Sequence, residues 1–151
     1  MNNEIEAIDS AMLYPIAESV FKQLFDVVVM PEGSAELNAD DRLIAVIDAS
    51  GSVDMWAFLA GANSVMAELA APVYGKPAES VSETEFQDIF KEALNLMSGE
   101  LFKKLNEPYK PGIPYIEAAP KTINDEPLAV TCFYINERCF SFSVYIKNSD
   151  G

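Results

Sequence analysis

The sequence predicts an α+β fold: a single domain over residues 1–151, with long helices packed against a largely antiparallel sheet. The chain has 151 residues, the size of one domain, and 50% of them are hydrophobic, enough for one core. Three segments carry apolar residues at helical spacing, and the last segment alternates apolar with small polar residues, as antiparallel strands do. No internal repeat or low-complexity segment breaks this order.

The charge and the missing histidine exclude several classes of function. Ten Lys and Arg stand against 24 Asp and Glu, a formal net charge of −14, which excludes nucleic acid and membrane surfaces as expected partners. Because the chain has no histidine, Ser-His-Asp and Cys-His nucleophiles and histidine metal sites are ruled out. Cys132 and Cys139 are too few for a four-thiolate zinc site, so we expect no metal site.

The sequence also predicts a cytoplasmic protein. Two cysteines do not make a disulfide scaffold, which fits a reducing compartment. Residues 1–10 are acidic and lack the basic and apolar regions of a signal peptide. The densest apolar stretch, residues 55–62, is far shorter than the roughly 20 residues that cross a bilayer. We therefore expect no transmembrane segment.

Apolar residues recur every three or four positions from residue 8 to about residue 28, which predicts the first helix. Pro15 lies inside this pattern, so we expect the helix to start late or to kink there. Residues 31–34 end the helix. Residues 38–41 are charged and are expected to form a turn. A calcium-binding loop is the less favoured interpretation, because its later ligands are missing.

Two short strands and a second helix follow. Residues 43–48 and 53–59 are apolar runs on either side of residues 49–52, where Gly51 can supply the turn of a β-hairpin. The next segment has helical spacing, which predicts a helix with Asn63 as N-cap and Gly75 as C-cap.

The third helix has a clear start signal. Ser82 and Glu85 have the spacing of a capping box, in which each side chain binds the main-chain N–H of the other residue. The helix should therefore start after Ser82 and run to about Leu105, closed by Asn106 and Pro108.

The remainder of the chain predicts further strands. Residues 107–127 contain five prolines and should form an irregular crossing, with one edge strand near residues 115–118. Residues 128–135 and 139–146 are predicted to be two antiparallel strands joined by a two-residue turn at Asn136-Glu137.

This turn fixes the expected register of the two cysteines. Cys139 should lie opposite Tyr134, and Cys132 opposite Ser141, so the two cysteines would be diagonal neighbours rather than partners. Both are interpreted as small core residues, because a free cysteine packs as a small hydrophobe. Trp56, within an apolar strand, is also expected in the core.

Helix three carries a polar stripe, defined here as Asp88, Glu92, Asn95 and Gly99. At about 100° per residue these four positions lie within about 60° of one another. An apolar seam lies on the opposite face of the helix and comprises Phe86, Phe90, Ala93, Met97 and Leu101. A carboxylate, a carboxamide and a glycine on successive turns form a flat platform on which a partner could dock. The alternative from spacing alone is a solvated helix face with an incidental glycine.

The segment from Asp88 to Asn95, followed by Gly99, resembles the D/S-x3-E-x2-N signature of the CheC/CheX chemotaxis phosphatases. The likeness covers most of the chain. Outside helix three it comprises Tyr14-Pro15-Ile16, the short strands around Gly51, Tyr74-Gly75 and Pro120-Lys121-Thr122-Ile123. Only helix three carries a specific motif.

This resemblance implies a phosphatase that hydrolyses the aspartyl-phosphate of a CheY-type response-regulator receiver domain. It implies two catalytic residues: Asn95, which would hold the attacking water, and Glu92, which would pair with the receiver's lysine. Asp88 and Gly99 are implied as supporting positions for partner binding. The receiver would bring Mg²⁺, so the chain is expected to need no cofactor of its own. Because the task is mostly positioning, no histidine is required.

The resemblance further implies one site and a dimer. CheC-type members carry two such signatures, whereas helix one offers Glu18 but has Phe21 where asparagine would stand. One site is the CheX-like arrangement, which also implies a homodimer formed through the sheets. The terminal strand, residues 139–146, is expected to be the exposed edge that pairs. The alternative function is a non-catalytic CheX-like module that binds a receiver or only dimerises.

Overall fold

The computed structural model describes residues 8–33, 39–105, 108–117 and 126–147. Its helices and strands, in chain order, are α1 (Ser10–Phe25), β1 (Arg42–Ser50), β2 (Met55–Ala62), α2 (Met66–Tyr74), α3 (Glu83–Lys103), β3 (Lys110–Pro111), β4 (Tyr115–Ile116), β5 (Ala129–Ile135) and β6 (Arg138–Ile146). Short 3₁₀ turns lie at Ala39–Asp41, Asn63–Val65 and Ala78–Ser80.

The strands form one six-stranded sheet in the order β3-β1-β2-β6-β5, and β4 also pairs with β1. Every strand pairing in it is antiparallel. The predicted α+β class, with helices against a largely antiparallel sheet, is therefore confirmed. Within the described ranges, no helix is long and apolar enough to cross a membrane.

The helices bury one face of the sheet. Phe21 of α1 packs its ring 5.0 Å from that of Phe133 in β5 and 5.8 Å from that of Phe140 in β6. Phe90 of α3 and Phe142 of β6 are also fully buried. This aromatic centre holds α1 and α3 at fixed positions on the sheet, since cores are close-packed.

The first helix begins at Ser10, so the late start at Pro15 is wrong. The Asp9 side chain accepts the main-chain N–H of Met12 at 2.9 Å and caps the helix before the proline is reached. Pro15 has no N–H to donate to the main-chain carbonyl one turn earlier in the helix. Because Pro15 is exposed, that carbonyl can bond to water instead. The helix ends at Phe25, earlier than the predicted residue 28, because its C-cap Asp26 takes a left-handed φ of 56°.

The hairpin strands are longer than predicted. Strand β1 runs to Ser50 and β2 begins at Met55, so the turn comprises residues 51–54 rather than 49–52. At the other end Gly61 still pairs with Leu43. A Cβ on Gly61 would collide with the ring of Phe140, so glycine lets strand and ring approach closely.

The cap predictions for α2 are half correct. Gly75 has a φ of 65° and is the C-cap, as predicted. Asn63 is not the N-cap, because a 3₁₀ turn precedes the helix and Val65 takes that position without a side-chain bond. Asp41, which is 23 residues earlier in the chain, instead accepts hydrogen bonds from the N–H and the hydroxyl of Ser64, at 2.8 and 2.6 Å, and so stabilises this turn.

The register of the last two strands is confirmed, but the placement of the cysteines is not. Cys132 pairs with Ser141 and Tyr134 with Cys139, across a turn whose residues both have positive φ. Cys132 is exposed and Cys139 half-buried, so neither is a core residue. Their neighbours along β5 and β6 point at the helices, and alternation turns the cysteines to the other face.

Trp56 lies on that same outer face and is half-buried, so its predicted core position is wrong as well. Its ring lies 6.4 Å from that of Phe58, and the Lys147 ammonium is 5.2 Å from the ring centre. The tryptophan packs against strand neighbours instead of against a helix.

Strand β6 is not an edge, because it lies between β2 and β5. The edge is β5, where Met30 and Tyr134 exchange main-chain hydrogen bonds of 2.9 and 2.8 Å. On the opposite side, β4 pairs with β1, which confirms the edge strand predicted near residues 115–118. The segment Pro120-Lys121-Thr122-Ile123 and residue Asn38 lie outside the described residues.

Candidate functional site

The start of α3 is fixed by the predicted capping box. The Ser82 N–H donates to Glu85 Oε1 at 2.9 Å, and the Glu85 N–H donates to Ser82 Oγ at 3.1 Å. The helix then runs to Lys103, slightly short of the predicted Leu105, which is buried. Asn106, its predicted closing residue, lies outside the described residues. A fixed start sets which side chains point outward along the helix.

The apolar seam predicted for α3 is confirmed. All five of its residues are buried, and they belong to the core formed with α1 and the sheet: Phe86, Phe90, Ala93, Met97 and Leu101. Ser98 is also buried, and its hydroxyl has no hydrogen-bond partner within the described residues. The seam leaves the opposite side of α3 facing away from the core.

The polar stripe lies on this outer side. Asp88, Glu92 and Asn95 are exposed, and Gly99 is half-buried. A Cβ built on Gly99 would meet nothing within 4 Å, so no packing explains the glycine. The four positions are accessible together on a regular helix, which provides a rigid platform.

Two members of the polar stripe have no side-chain partner among the residues that the structure describes. Glu92 and Asn95 form no ion pair or side-chain hydrogen bond with another residue of the described ranges. Asp88 pairs with Lys91 of the same helix, Oδ1 to Nζ 3.3 Å, but its side chain stays 60% exposed. Such an exposed pair contributes little to stability. The carboxylate of Glu92 and the carboxamide of Asn95 are therefore available to a partner.

The C-terminal end of α2 is attached beside the start of α3. The Tyr74 hydroxyl donates to the Glu85 main-chain carbonyl at 2.8 Å, and the Lys76 ammonium lies 2.7 Å from Glu85 Oε1. Burial raises the pKa of Tyr74, and the charges of Asp88 and Glu85 raise it further. The phenol is thus close to the Asp88 end of the polar stripe. Sequence reasoning did not assign Tyr74 or Lys76 to the site, because only this tertiary contact reveals their position.

The equivalent face of α1 does not offer a second site. Phe21, at the position where a second signature would have asparagine, is fully buried, and its ring lies 5.1 Å from that of Phe25. Glu18 is exposed. Among the described residues there is also no cluster of three His, Cys, Asp or Glu that could hold a metal ion.

Comparison with known proteins finds similarity of structure. No protein-family model matches the chain. No curated protein matches its sequence significantly. One similar solved structure is a complex of CheX with CheY, BeF₃ and Mg²⁺ from Borrelia burgdorferi: TM-score 0.69, 14% identity, with 93% of this chain and 99% of that chain covered.

Two further solved structures are also similar to this chain. The chemotaxis protein CheX from Vibrio vulnificus has a TM-score of 0.69 at 12% identity and covers 89% of this chain and 96% of its own. The FliM middle domain from H. pylori has a TM-score of 0.56 at 11% identity and covers 95% of this chain and 91% of its own.

The chain has the fold of the CheC/CheX chemotaxis proteins. Within that class its likeness to CheX extends over nearly the whole of both chains. The resemblance expected from helix three is thereby confirmed at the level of the fold. At these identities a shared fold does not define the chemistry, which depends on the residues of the polar stripe.

Proposed function

We propose that this chain is a CheX-like phosphatase that hydrolyses the aspartyl-phosphate of a response-regulator receiver domain. One observation carries the proposal: Glu92 and Asn95 are exposed on the rigid outer face of α3 with no side-chain partner among the described residues, on the fold of a protein solved in complex with CheY. The spacing of the two residues matches the family signature.

We assign to Asn95 the role of holding the attacking water. Its carboxamide oxygen would accept a hydrogen bond from the water and hold it in line with the bond between phosphorus and the aspartyl oxygen. The water oxygen then bonds to phosphorus, the acyl oxygen leaves as the receiver's carboxylate, and inorganic phosphate forms. Holding a reactant in line is worth several kcal/mol of barrier, on the order of 7 kcal/mol or more when fully realised.

Glu92 is assigned to docking at the reaction centre. Its carboxylate, one turn before Asn95, would form an ion pair with the receiver's lysine and so fix the distance between α3 and the phosphoryl group. Such a pair is stronger where docking excludes water. Asp88 and Gly99 extend the contact on either side: the first with a charge, the second by allowing another backbone to come close.

The metal in this reaction belongs to the substrate. The similar complex contains CheY, BeF₃ and Mg²⁺, which supports a receiver that brings its own Mg²⁺. That ion would offset charge on the phosphoryl oxygens. The residues of α3 would then hold the attacking water in position and place one negative charge opposite the receiver's lysine. No cofactor of the chain's own is part of this proposal.

The second candidate is a non-catalytic module that binds a receiver or only dimerises. The similarity to the FliM middle domain favours it, since the same fold occurs outside the proteins named CheX and CheC. The intact pair of Glu92 and Asn95 favours catalysis. A homodimer and a cytoplasmic location are parts of both proposals.

A hydrolysis assay on a panel of phosphorylated receivers tests the activity. We expect at least one receiver to lose phosphate faster than it does alone, with Mg²⁺ present throughout. Phosphate loss no faster than autodephosphorylation across the panel would overturn the phosphatase and leave the binding module.

A further inference from the structure

An apolar surface adjoins the polar stripe. Pro72, Val73 and Tyr74 are exposed at the C-terminal end of α2, with 39% exposure for Val73 and 37% for Tyr74. We call these three residues the apolar shoulder. Other large hydrophobic side chains in the described ranges have equal or greater exposure, but they lie outside α2: Val28, Met30, Ile113 and Val130.

The apolar shoulder is fixed rigidly to α3. Tyr74 donates its hydroxyl to the Glu85 carbonyl, Lys76 forms an ion pair with the Glu85 side chain, and Gly75 ends α2 in a left-handed turn. Such a surface loses little conformational freedom when a partner binds, which favours its use as an anchor.

The apolar shoulder lies close enough to the polar stripe for one bound partner to cover both surfaces. At 1.5 Å per helical residue, Glu85 lies about 10 Å along α3 from Glu92 and about 15 Å from Asn95. A stable protein interface covers about 800 Å² on each partner, a circle of about 16 Å radius. A receiver centred on Glu92 would therefore reach the apolar shoulder.

Helix α1, which also packs against α3, offers less to such a partner. The exposed residues of α1 are small or polar apart from one proline: Ser10, Ala11, Pro15, Glu18, Ser19, Lys22 and Gln23. Interface centres are enriched in aromatic residues and depleted of charge, and tyrosine is a frequent hot spot. Among the exposed residues of the two helices, α2 supplies a tyrosine and a valine, and α1 itself supplies neither.

We propose that the apolar shoulder is a second contact for the receiver domain, separate from the catalytic pair. This inference rests on the proposed function for the identity of the partner. The polar stripe alone is a narrow line about which a bound receiver could rotate. Contact with Val73 and Tyr74 fixes that rotation and supplies apolar area that Glu92 and Asn95 lack.

Binding to a receiver loaded with beryllium fluoride and Mg²⁺ tests the inference without turnover. Val73→Asp and Tyr74→Ala should each raise the Kd by about tenfold or more, as loss of an interface anchor does. Tyr74→Phe keeps the ring and should bind nearly as the wild type does. Val130→Asp is the matched control: Val130 has the same 39% exposure on the sheet face away from the helices, and it should leave the Kd unchanged.

Steady-state hydrolysis, melting temperature and mass by light scattering are measured on each variant. Val73→Asp should raise KM and leave kcat within about twofold, because the catalytic pair is intact. Unchanged Kd in both Val73→Asp and Tyr74→Ala overturns the apolar shoulder, whether or not the wild type hydrolyses phosphate. A wild type that binds without hydrolysis overturns only the proposed function. A wild type that binds no receiver of the panel overturns both.

Discussion

The Lys76 ammonium lies 2.7 Å from Glu85 Oε1, the same carboxylate oxygen that accepts the Ser82 N–H at 2.9 Å. One side chain thus closes the capping box of α3 and ties that helix to the link after α2. The apolar shoulder and the polar stripe keep their relative positions through this carboxylate and through the Tyr74 hydroxyl.

The first prediction concerns the pH dependence of this connection. The hydrogen bond from Lys76 lowers the pKa of Glu85, and the bond from the Ser82 N–H lowers it further. A carboxyl with a lowered folded-state pKa stabilises the fold fully above its unfolded value of about 4.3, and the contribution is lost as pH falls through the folded pKa. Glu85→Gln should therefore destabilise the protein at pH 7 and much less at pH 3, measured by urea unfolding.

Glu79→Gln is the control for this measurement, because Glu79 is an exposed residue of the 3₁₀ turn before α3. It should change the free energy of unfolding little at either pH. A destabilisation by Glu85→Gln that is the same at pH 3 and pH 7 would contradict the assignment.

The second prediction separates stability from binding at Gly99. A Cβ there meets open space, so Gly99→Ala should stabilise α3 by about 1 kcal/mol and raise Tm by about 2–4 °C. If a receiver backbone approaches this position, the added methyl should raise the Kd by about tenfold, which corresponds to about 1.4 kcal/mol. Calorimetry and receiver titration measure the two effects.

Gly61→Ala is the contrasting variant, since its Cβ would collide with the buried ring of Phe140. It should lower the free energy of unfolding by about 1–3 kcal/mol, as overpacking does. Tighter or unchanged receiver binding by Gly99→Ala would exclude a close backbone contact at that glycine.

Structural features that depend on neighbouring residues could be predicted from the sequence, and those that depend on contacts between distant parts of the chain could not. The capping box at Ser82 and the turn at Asn136 follow from local chemistry, and both are confirmed. The run before that turn is apolar on both faces, so the sequence could not decide which face Cys132 takes. The central place of β6 depends on pairing with β2, far away in the chain.

The candidate site shows the same division. Helical periodicity was sufficient to place Glu92 and Asn95 opposite the apolar seam, because the helix is regular throughout. The neighbourhood of Tyr74 could not be predicted, since it depends on a side-chain bond to a carbonyl on another helix.

The third prediction concerns charge. The chain has a formal net charge of −14, and an acidic receiver would be repelled from a distance. Raising salt to physiological ionic strength shortens the Debye length to about 8 Å and should speed the association with such a receiver. Stopped-flow mixing at several salt concentrations measures the rate. A steep fall in rate over this range would indicate a basic partner instead.

The fourth prediction is the homodimer. One edge of the described sheet is β5, whose outer main-chain groups are partly closed by Met30 at Tyr134. We expect a two-fold dimer formed through the sheets, with a mass twice the 16.6 kDa of one chain. Light scattering at micromolar concentration checks it, and a mass of one chain would count against it.

The last prediction separates catalysis from docking, because Asn95 and Glu92 are assigned different roles. Asn95→Ala removes the carboxamide that holds the water and leaves the rest of the polar stripe. The rate of phosphate release should fall by about 10²–10³-fold, the loss seen when one positioned polar group is removed. Receiver affinity should stay within about threefold of the wild type, since that group acts mainly in the transition state.

Glu92→Lys should fail at an earlier step. It places a cation where the receiver's lysine is expected, so binding itself should be lost. Glu92→Gln is the matched variant that keeps the shape and removes only the charge, and it should weaken binding less than the lysine does. Both Glu92 and Asn95 are exposed and point away from the apolar seam, so these variants should melt close to the wild type. Full turnover by Asn95→Ala would remove the catalytic assignment, because nothing else on the polar stripe offers a carboxamide to the water.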